Sequence, residues 1–337
     1  MATTPLMQVF TGSAHDVCHS LDAPGAYEWW YVDARSDDGA WGVVAILFRG
    51  MPMSPDYLSA LAAGTAPAPA DHCGFAVSIY HNGQRLLQVF RGVESNDTFF
   101  GTNQCDVRVG PCSLQRTSDD TWALHIDTLH PDSSRRVVLD ATFRRIGTVV
   151  DDATPFTAVH GWVLAAPLAE IDAHLTLSEY GTVKTSTAWH GTAYHDHNMG
   201  RRAMQEDFRT WLWGRVHDGT SGMVYLATPD AAEPFAFAAT LDERGITPWM
   251  QVHVTAGDRR LTMMGLRAAR RVVVEGDGGV VTIAQQRILD DGPFYRRYLA
   301  MFVNGATRHA GISEDMHVQR YRASWIRPFL RTPWLRQ

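Results

Sequence analysis

The chain has 337 residues, 45% of them hydrophobic and 20% charged, a balance that supports a folded core and argues against disorder. Its formal net charge of -6 and pI of about 6.2 leave no cationic surplus to neutralise a phosphate backbone, so nucleic acid is excluded as an expected partner. Eleven Trp and 28 Gly suit a β-rich chain with many tight turns around an aromatic-lined interior.

The chain begins Met1-Ala2-Thr3-Thr4-Pro5, with no basic start and no apolar run, so no secretory signal is visible. The longest strongly apolar stretch, Val43 to Phe48, is too short to span a bilayer. The expectation is a cytoplasmic protein, at most peripheral to a membrane. Cys18, Cys73, Cys105 and Cys112 form no C-x-x-C pair. They predict four reduced, partly buried thiols and no cysteine-based zinc site.

Short apolar alternations recur in chain order. Tyr27 to Ala34, Trp41 to Phe48, Gly74 to Tyr80, Leu86 to Phe90, Trp122 to Ile126, Val137 to Phe143 and Ala169 to Leu177 predict strands. Trp211 to Val216, Met223 to Ala227, Phe235 to Thr240, Val272 to Glu275, Val280 to Gln285 and Tyr298 to Val303 continue the pattern. Turn signals fall between them at Ser36-Asp37-Asp38-Gly39, His81-Asn82-Gly83, Asp218-Gly219 and Asp277-Gly278-Gly279. Ser54-Pro55-Asp56 is an N-cap followed by proline, so a helix is predicted over Tyr57 to Ala63, stopped by Gly64. A second helix is predicted near Tyr321 to Ile326, before Pro328. This spacing implies an all-β chain of antiparallel sandwiches or barrels with few short helices. A soft boundary near residue 200 separates a unit over 1–200 from one over 201–337.

Three constellations carry candidate chemistry. In Glu28-Trp29-Trp30-Tyr31, period-two alternation sends Glu28, Trp30 and Val32 to one face and Trp29, Tyr31 and Asp33 to the other. The run suits sandwich core, or an apolar pocket wall carrying one acid that binds a hydrocarbon and stabilises a cation. Trp189 to Gly200 packs three histidines, an Asp, a Tyr and an Asn into twelve residues. As a strand it puts Tyr194, Asp196 and Asn198 on one face and His195 and His197 on the other. A desolvated Asp196 among aromatics would hold its proton and act as an acid. The same residues also suit satisfied turn and core groups, or a metal held by His190, His195 and His197, although H-E-x-x-H is absent. Trp211, Trp213 and Arg215 share the face of a third segment, either as core with Arg215 at its rim or as lining of the same cavity.

In order along the chain, these marks resemble the carotenoid 1,2-hydratase family, also called hydroxyneurosporene synthase, within the AttH-like, lipocalin-like group. The resemblance rests on Glu28-Trp29-Trp30-Tyr31-Val32-Asp33-Ala34-x-Ser36-Asp37-Asp38-Gly39, Ser54-Pro55-x-Tyr57, His72-Cys73, Tyr194-x-Asp196-His197-Asn198-x-Gly200, Phe208-x-x-Trp211-x-Trp213-x-Arg215, Phe294-Tyr295-x-Arg297 and Arg320-Tyr321-Arg322-x-x-Trp325. It implies two lipocalin-like β-domains with a ligand cavity, no metal and no redox cofactor. It also implies addition of water to a terminal double bond of an acyclic carotenoid. Asp196 is then the acid and Tyr194 the motif's tyrosine; on the chemistry of hydration, His197 or His195 is the group that orients Asp196 or takes the water's proton. Glu28, Trp29, Trp30, Tyr31, His195, Asn198, Trp211, Trp213 and Arg215 are the expected substrate contacts. Met199 and His195 fill the variable positions of the Asp196 motif.

The competing functions are a cyclase or isomerase of an apolar polyene on the same scaffold and a lipocalin-type carrier. The expected partner is an apolar small molecule. A carotenoid has to leave a bilayer, so peripheral membrane contact fits the reading. The basic and aromatic C-terminus (Arg322, Trp325, Ile326, Arg327, Phe329, Leu330, Arg331, Trp334, Arg336) is the candidate anchor, with packing against the barrel as its alternative.

Overall fold

Backbone alternation builds a first unit ending at Ala203 and a second beginning at Met204. The structure, a computed structural model, describes residues 4–130, 132, 134–323 and 325. The strands of the first unit are β1 (Met7–Thr11), β2 (Tyr27–Ser36), β3 (Trp41–Arg49), β4 (Cys73–His81), β5 (Gln84–Val93), β6 (Thr98–Phe100), β7 (Asp106–Val109), β8 (Cys112–Ser118), β9 (Thr121–Leu129), β10 (Arg135–Arg145), β11 (His160–Glu179) and β12 (Thr182–Gly200). They form one 12-stranded sheet in the order β5-β4-β3-β2-β12-β11-β10-β9-β8-β7-β6, with β1 parallel to β11. The sheet curls into a nearly closed barrel. Trp30, Val32 and Ala34 of β2 point into its core with Phe75, Trp122, Leu139 and Ile171. A fully buried Val, Leu, Ile or Phe among them contributes roughly 1.5–3 kcal/mol.

The expected β2, β3 and β4 segments form with one or two residues added at their ends. The β4–β5 hairpin at His81-Asn82-Gly83 has φ of 51° at Asn82 and 69° at Gly83, the paired left-handed conformation that a two-residue turn requires. The expected Ala169 to Leu177 segment is the middle of the 20-residue β11. The helix α1 (Pro55–Ala62) starts where expected, and Ser54 Oγ accepts from Tyr57 N at 3.4 Å.

The second unit opens with the short α2 (Met204–Asp207). Its strands are β13 (Trp211–Asp218), β14 (Ser221–Thr228), β15 (Phe235–Asp242), β16 (Gly245–Pro248), β17 (His253–Gly257), β18 (Arg260–Leu261), β19 (Arg267–Ala268), β20 (Arg271–Gly276), β21 (Gly279–Asp291), β22 (Tyr295–Asn304) and β23 (Thr307–Met316). Nine of them form a half-barrel sheet in the order β16-β15-β14-β13-β23-β22-β21-β20-β17, and β18 pairs with β19. Leu212, Tyr225, Val272, Ile283 and Phe302 belong to its core.

Of the second expected helix, Tyr321 and Arg322 end a 3-10 turn spanning Val318–Arg322. Ser324 and the candidate anchor from Ile326 onward lie outside the described residues. No helix among the described residues is long and apolar enough to cross a membrane. All four cysteines are buried and unbridged, and burial pushes the Cys18 and Cys73 thiols up to about 11 and Cys112 up to about 12.

Candidate active site

The two strands that carry the motifs, β2 and β12, are antiparallel neighbours. Tyr194 lies opposite Asp33, Asp196 opposite Tyr31 and Asn198 opposite Trp29. Directly opposed side chains on one face stand about 4.5–5.5 Å apart at Cβ, so pairing alone gathers these groups on the face turned away from the barrel core. That face is buried as well, with Asp196 3% and Tyr194 0% exposed.

Among the described residues, three donors reach the Asp196 carboxylate. Trp162 Nε1 donates to Oδ2 at 2.7 Å and the Tyr194 hydroxyl donates to the same oxygen at 2.6 Å. Asn198 Nδ2 donates to Oδ1 at 2.8 Å. Asp196 is therefore desolvated but held in a polar cradle, whereas the sequence pointed to an acid isolated among aromatic rings. The rings themselves are present: Tyr31 meets Tyr194 edge-on at 6.0 Å, and Tyr27 stacks on Trp29 at 4.9 Å. Gly200 completes the motif because a Cβ there would lie 2.4 Å from the Tyr27 ring.

The inner face of the same strands carries a second group. Trp30 stacks on His197 at 4.2 Å between ring centres. Glu28 is fully buried beside His19 and His197. The His19 backbone N–H donates to Glu28 Oε2 at 2.7 Å. Deeper in the barrel, His195 Nδ1 donates to Tyr31 O at 2.9 Å, and Nε2 meets Asp16 Oδ2 at 3.1 Å. Trp122 Nε1 donates to the same Asp16 oxygen at 3.0 Å. Burial works against both charges, yet their mutual attraction lowers Asp16 and raises His195, as for a buried ion pair. Among the described residues, two trios have donor atoms close enough to share a metal, Asp16-Cys105-His195 and His19-Glu28-His197.

The expected site residues thus fall on two faces of the barrel wall. Asp196, Tyr194, Asn198, Trp29 and Tyr31 share the outer one. Glu28, Trp30, His195 and His197 share the inner one. His190 joins neither; it is exposed and bonds Asp37 at 2.9 Å. In the second unit, Trp211, Trp213 and Arg215 alternate with the core residues Leu212 and Val216 on β13, and all three are buried. Sequence reasoning missed Trp162, His15, Asp16 and His19. Trp162 lies opposite Asn198 in the β11–β12 pairing, while the other three precede β2 in a segment with no periodic signal.

The profile of the carotenoid hydratase CrtC family matches residues 45–336. The chain belongs to this family. A hydroxyneurosporene dehydrogenase of Chlorobaculum tepidum is 30% identical over 92% of this chain and 87% of its own length. An acyclic carotenoid 1,2-hydratase of Thiocapsa roseopersicina is 28% identical over 91% of this chain and 72% of its own. Among solved structures, an AttH-type protein of Nitrosomonas europaea superposes with a TM-score of 0.58 at 15% identity, covering 87% of this chain and 93% of its own. That likeness bears on the fold, and it is the lipocalin-like, AttH-type fold expected of a CrtC family member.

Proposed function

We propose that this CrtC family member hydrates the terminal double bond of an acyclic carotenoid, with Asp196 as the group that gives and regains the proton. The single observation that carries the assignment is the Asp196 carboxyl, buried on an aromatic face and gripped by Tyr194, Trp162 and Asn198. A trisubstituted alkene is a weak base, so hydration needs a positioned acid. In its acid form Asp196 delivers a proton to the less substituted carbon, leaving a tertiary carbocation. Trp29 and Tyr31, opposite Asn198 and Asp196, offer π faces to that cation. Water attacks the cation, its oxygen bonds to carbon, and the proton it loses returns to the carboxylate. The balance is alkene plus water to tertiary alcohol.

Tyr194 and Trp162 fix the carboxyl oxygen, so proton transfer starts from one geometry. His197 and His195 face the other way, which favours support of the wall over contact with the reacting carbons. Glu28 and Trp30 take the same supporting role. Trp211, Trp213 and Arg215 keep the substrate-binding role that the motif resemblance gives them. The test is incubation of purified protein with lycopene or neurosporene and measurement of product mass. Gain of one water supports hydration, and a product isomeric with the substrate would mean cyclisation or isomerisation instead.

A further inference from the structure

Inside the first unit, three hydrogen-bond acceptors converge with no donor hydrogen between the side chains. His197 Nδ1 lies 3.0 Å from His15 O, which only accepts, so the neutral ring has its lone pair on Nε2. His15 Nε2 lies 2.8 Å from Thr154 O, which leaves His15 Nδ1 to accept from His19 Nε2 at 3.1 Å. His19 therefore presents a lone pair on Nδ1. Both lone pairs face Glu28 Oε2, at 3.5 Å from His19 Nδ1 and 3.6 Å from His197 Nε2. Neither nitrogen has a hydrogen-bond partner, and His197 is fully buried. Two lone pairs aimed at a buried carboxylate are repelled by it unless a proton or a metal ion lies between, and separations of 3.5 and 3.6 Å exceed the about 2.7–2.9 Å of a charge-assisted N–H···O bond.

We propose that His19 Nδ1, His197 Nε2 and Glu28 Oε2 hold a divalent first-row transition ion, zinc first among them. Tetrahedral zinc with bonds of about 2.0–2.1 Å places its ligand atoms about 3.3–3.4 Å apart, and the two measured edges exceed that by a few tenths of an ångström. All three donor atoms lie within 4.8 Å of one another. The outer partners are those a metal site needs. Each ring turns its other nitrogen to His15, which fixes tautomer and orientation. Glu28 Oε1 faces the Cys18 thiol at 3.5 Å, the Leu21 amide at 3.4 Å and Arg49 at 3.8 Å, while Oε2 accepts from His19 N at 2.7 Å and keeps its second lone pair for the ion. The Asp16-Cys105-His195 trio differs. One proton on His195 satisfies its bond to Asp16, and burial holds the Cys105 thiol well above its ordinary value, so it is no thiolate ligand. The ion would tie the segment before β2 to β2 and β12, a structural role on the wall face opposite Asp196. It departs from the expectation of a metal-free protein that the family resemblance implies.

The experiment uses untagged full-length protein. Metal is counted by mass spectrometry as isolated, removed with chelator, and returned as Zn2+ by calorimetry and as Co2+ by visible absorption, with melting temperature followed throughout. The proposal expects one ion per chain, a lower melting temperature after chelation that Zn2+ restores, and four-coordinate Co2+ bands. Glu28→Gln and His197→Asn risk misfolding, so His19→Gln, outside any strand, carries the mutational arm. It should bind at least about 100-fold more weakly, while Asp196→Asn binds normally. Protein that takes up neither ion at one equivalent, or binding that His19→Gln leaves unchanged, overturns the site.

Discussion

Replacing Asp196 by Asn separates proton delivery from folding. Trp162 Nε1 can only donate, so the new amide oxygen has to take the place of Oδ2, accepting from Trp162 and Tyr194 as the carboxylate does. The amide nitrogen then faces Asn198. Asn198 Oδ1 is buried without a hydrogen-bond partner, so a flip of that amide turns an acceptor toward the new donor. Three charge-assisted bonds become neutral ones, each losing about 1 kcal/mol. The lower desolvation cost of a neutral amide offsets most of this. The net stability change is within about 2 kcal/mol, a melting shift below about 8 °C for a unit of this size. Loss of a positioned general acid costs ~10²–10⁴-fold in rate, or about 3–5 kcal/mol of barrier. Turnover of a carotenoid and thermal melting of the same preparation give both quantities. Turnover within about tenfold of the parent, in a variant that melts normally, refutes Asp196 as the proton donor.

Tyr194→Phe removes the 2.6 Å hydroxyl bond to Asp196; at about 1.5–3 kcal/mol for a bond to a charged group, kcat should fall about 10- to 100-fold with KM little changed, as steady-state kinetics will read. In the second unit, burial, aided by the like charge of Arg215, presses His217 down to about 3. The folded unit holds this ring neutral while the unfolded chain protonates it near 6.5. Its contribution is complete above about pH 6.5 and declines as pH falls toward 3, by up to about 1.4 kcal/mol per pH unit. Urea midpoints between pH 7 and 4 should therefore slope less in His217→Phe than in the parent. Arg297 bonds Asp290 and Glu314, each at 2.9 Å. Arg297→Ala leaves these mostly buried carboxylates without it and should cost about 3–5 kcal/mol, read as a lower denaturation midpoint of the second unit.

The outer and inner faces of β2 were legible because its apolar, aromatic run ends at the Ser36-Asp37-Asp38-Gly39 turn signal and strand geometry leaves only two faces. Tyr194, Asp196 and Asn198 shared a face for the same reason. β12 as a whole was not read as a strand. Its start, Thr182 to Ser186, is polar apart from Val183, and its second half is buried on both faces, so neither part alternates in hydrophobicity. Trp162 could not be placed because the register of β11 on β12 is not constant. Continuing the pairing of Ala169 with Ala193 would set Trp162 opposite Gly200. Two irregularities, between Val163 and Ala166 and between Ala166 and Ala169, bring it opposite Asn198 instead. Asp16 and His19 were out of reach for another reason. Asp16 meets His195 across 179 residues of sequence, and no spacing rule reaches that far.

Oxygen-18 water tests the hydration most directly. Parent protein incubated with an acyclic carotenoid should yield a tertiary alcohol carrying one labelled oxygen, and Asp196→Asn should yield almost none. A product with no label, or equal labelled product from Asp196→Asn, would contradict Asp196-driven hydration.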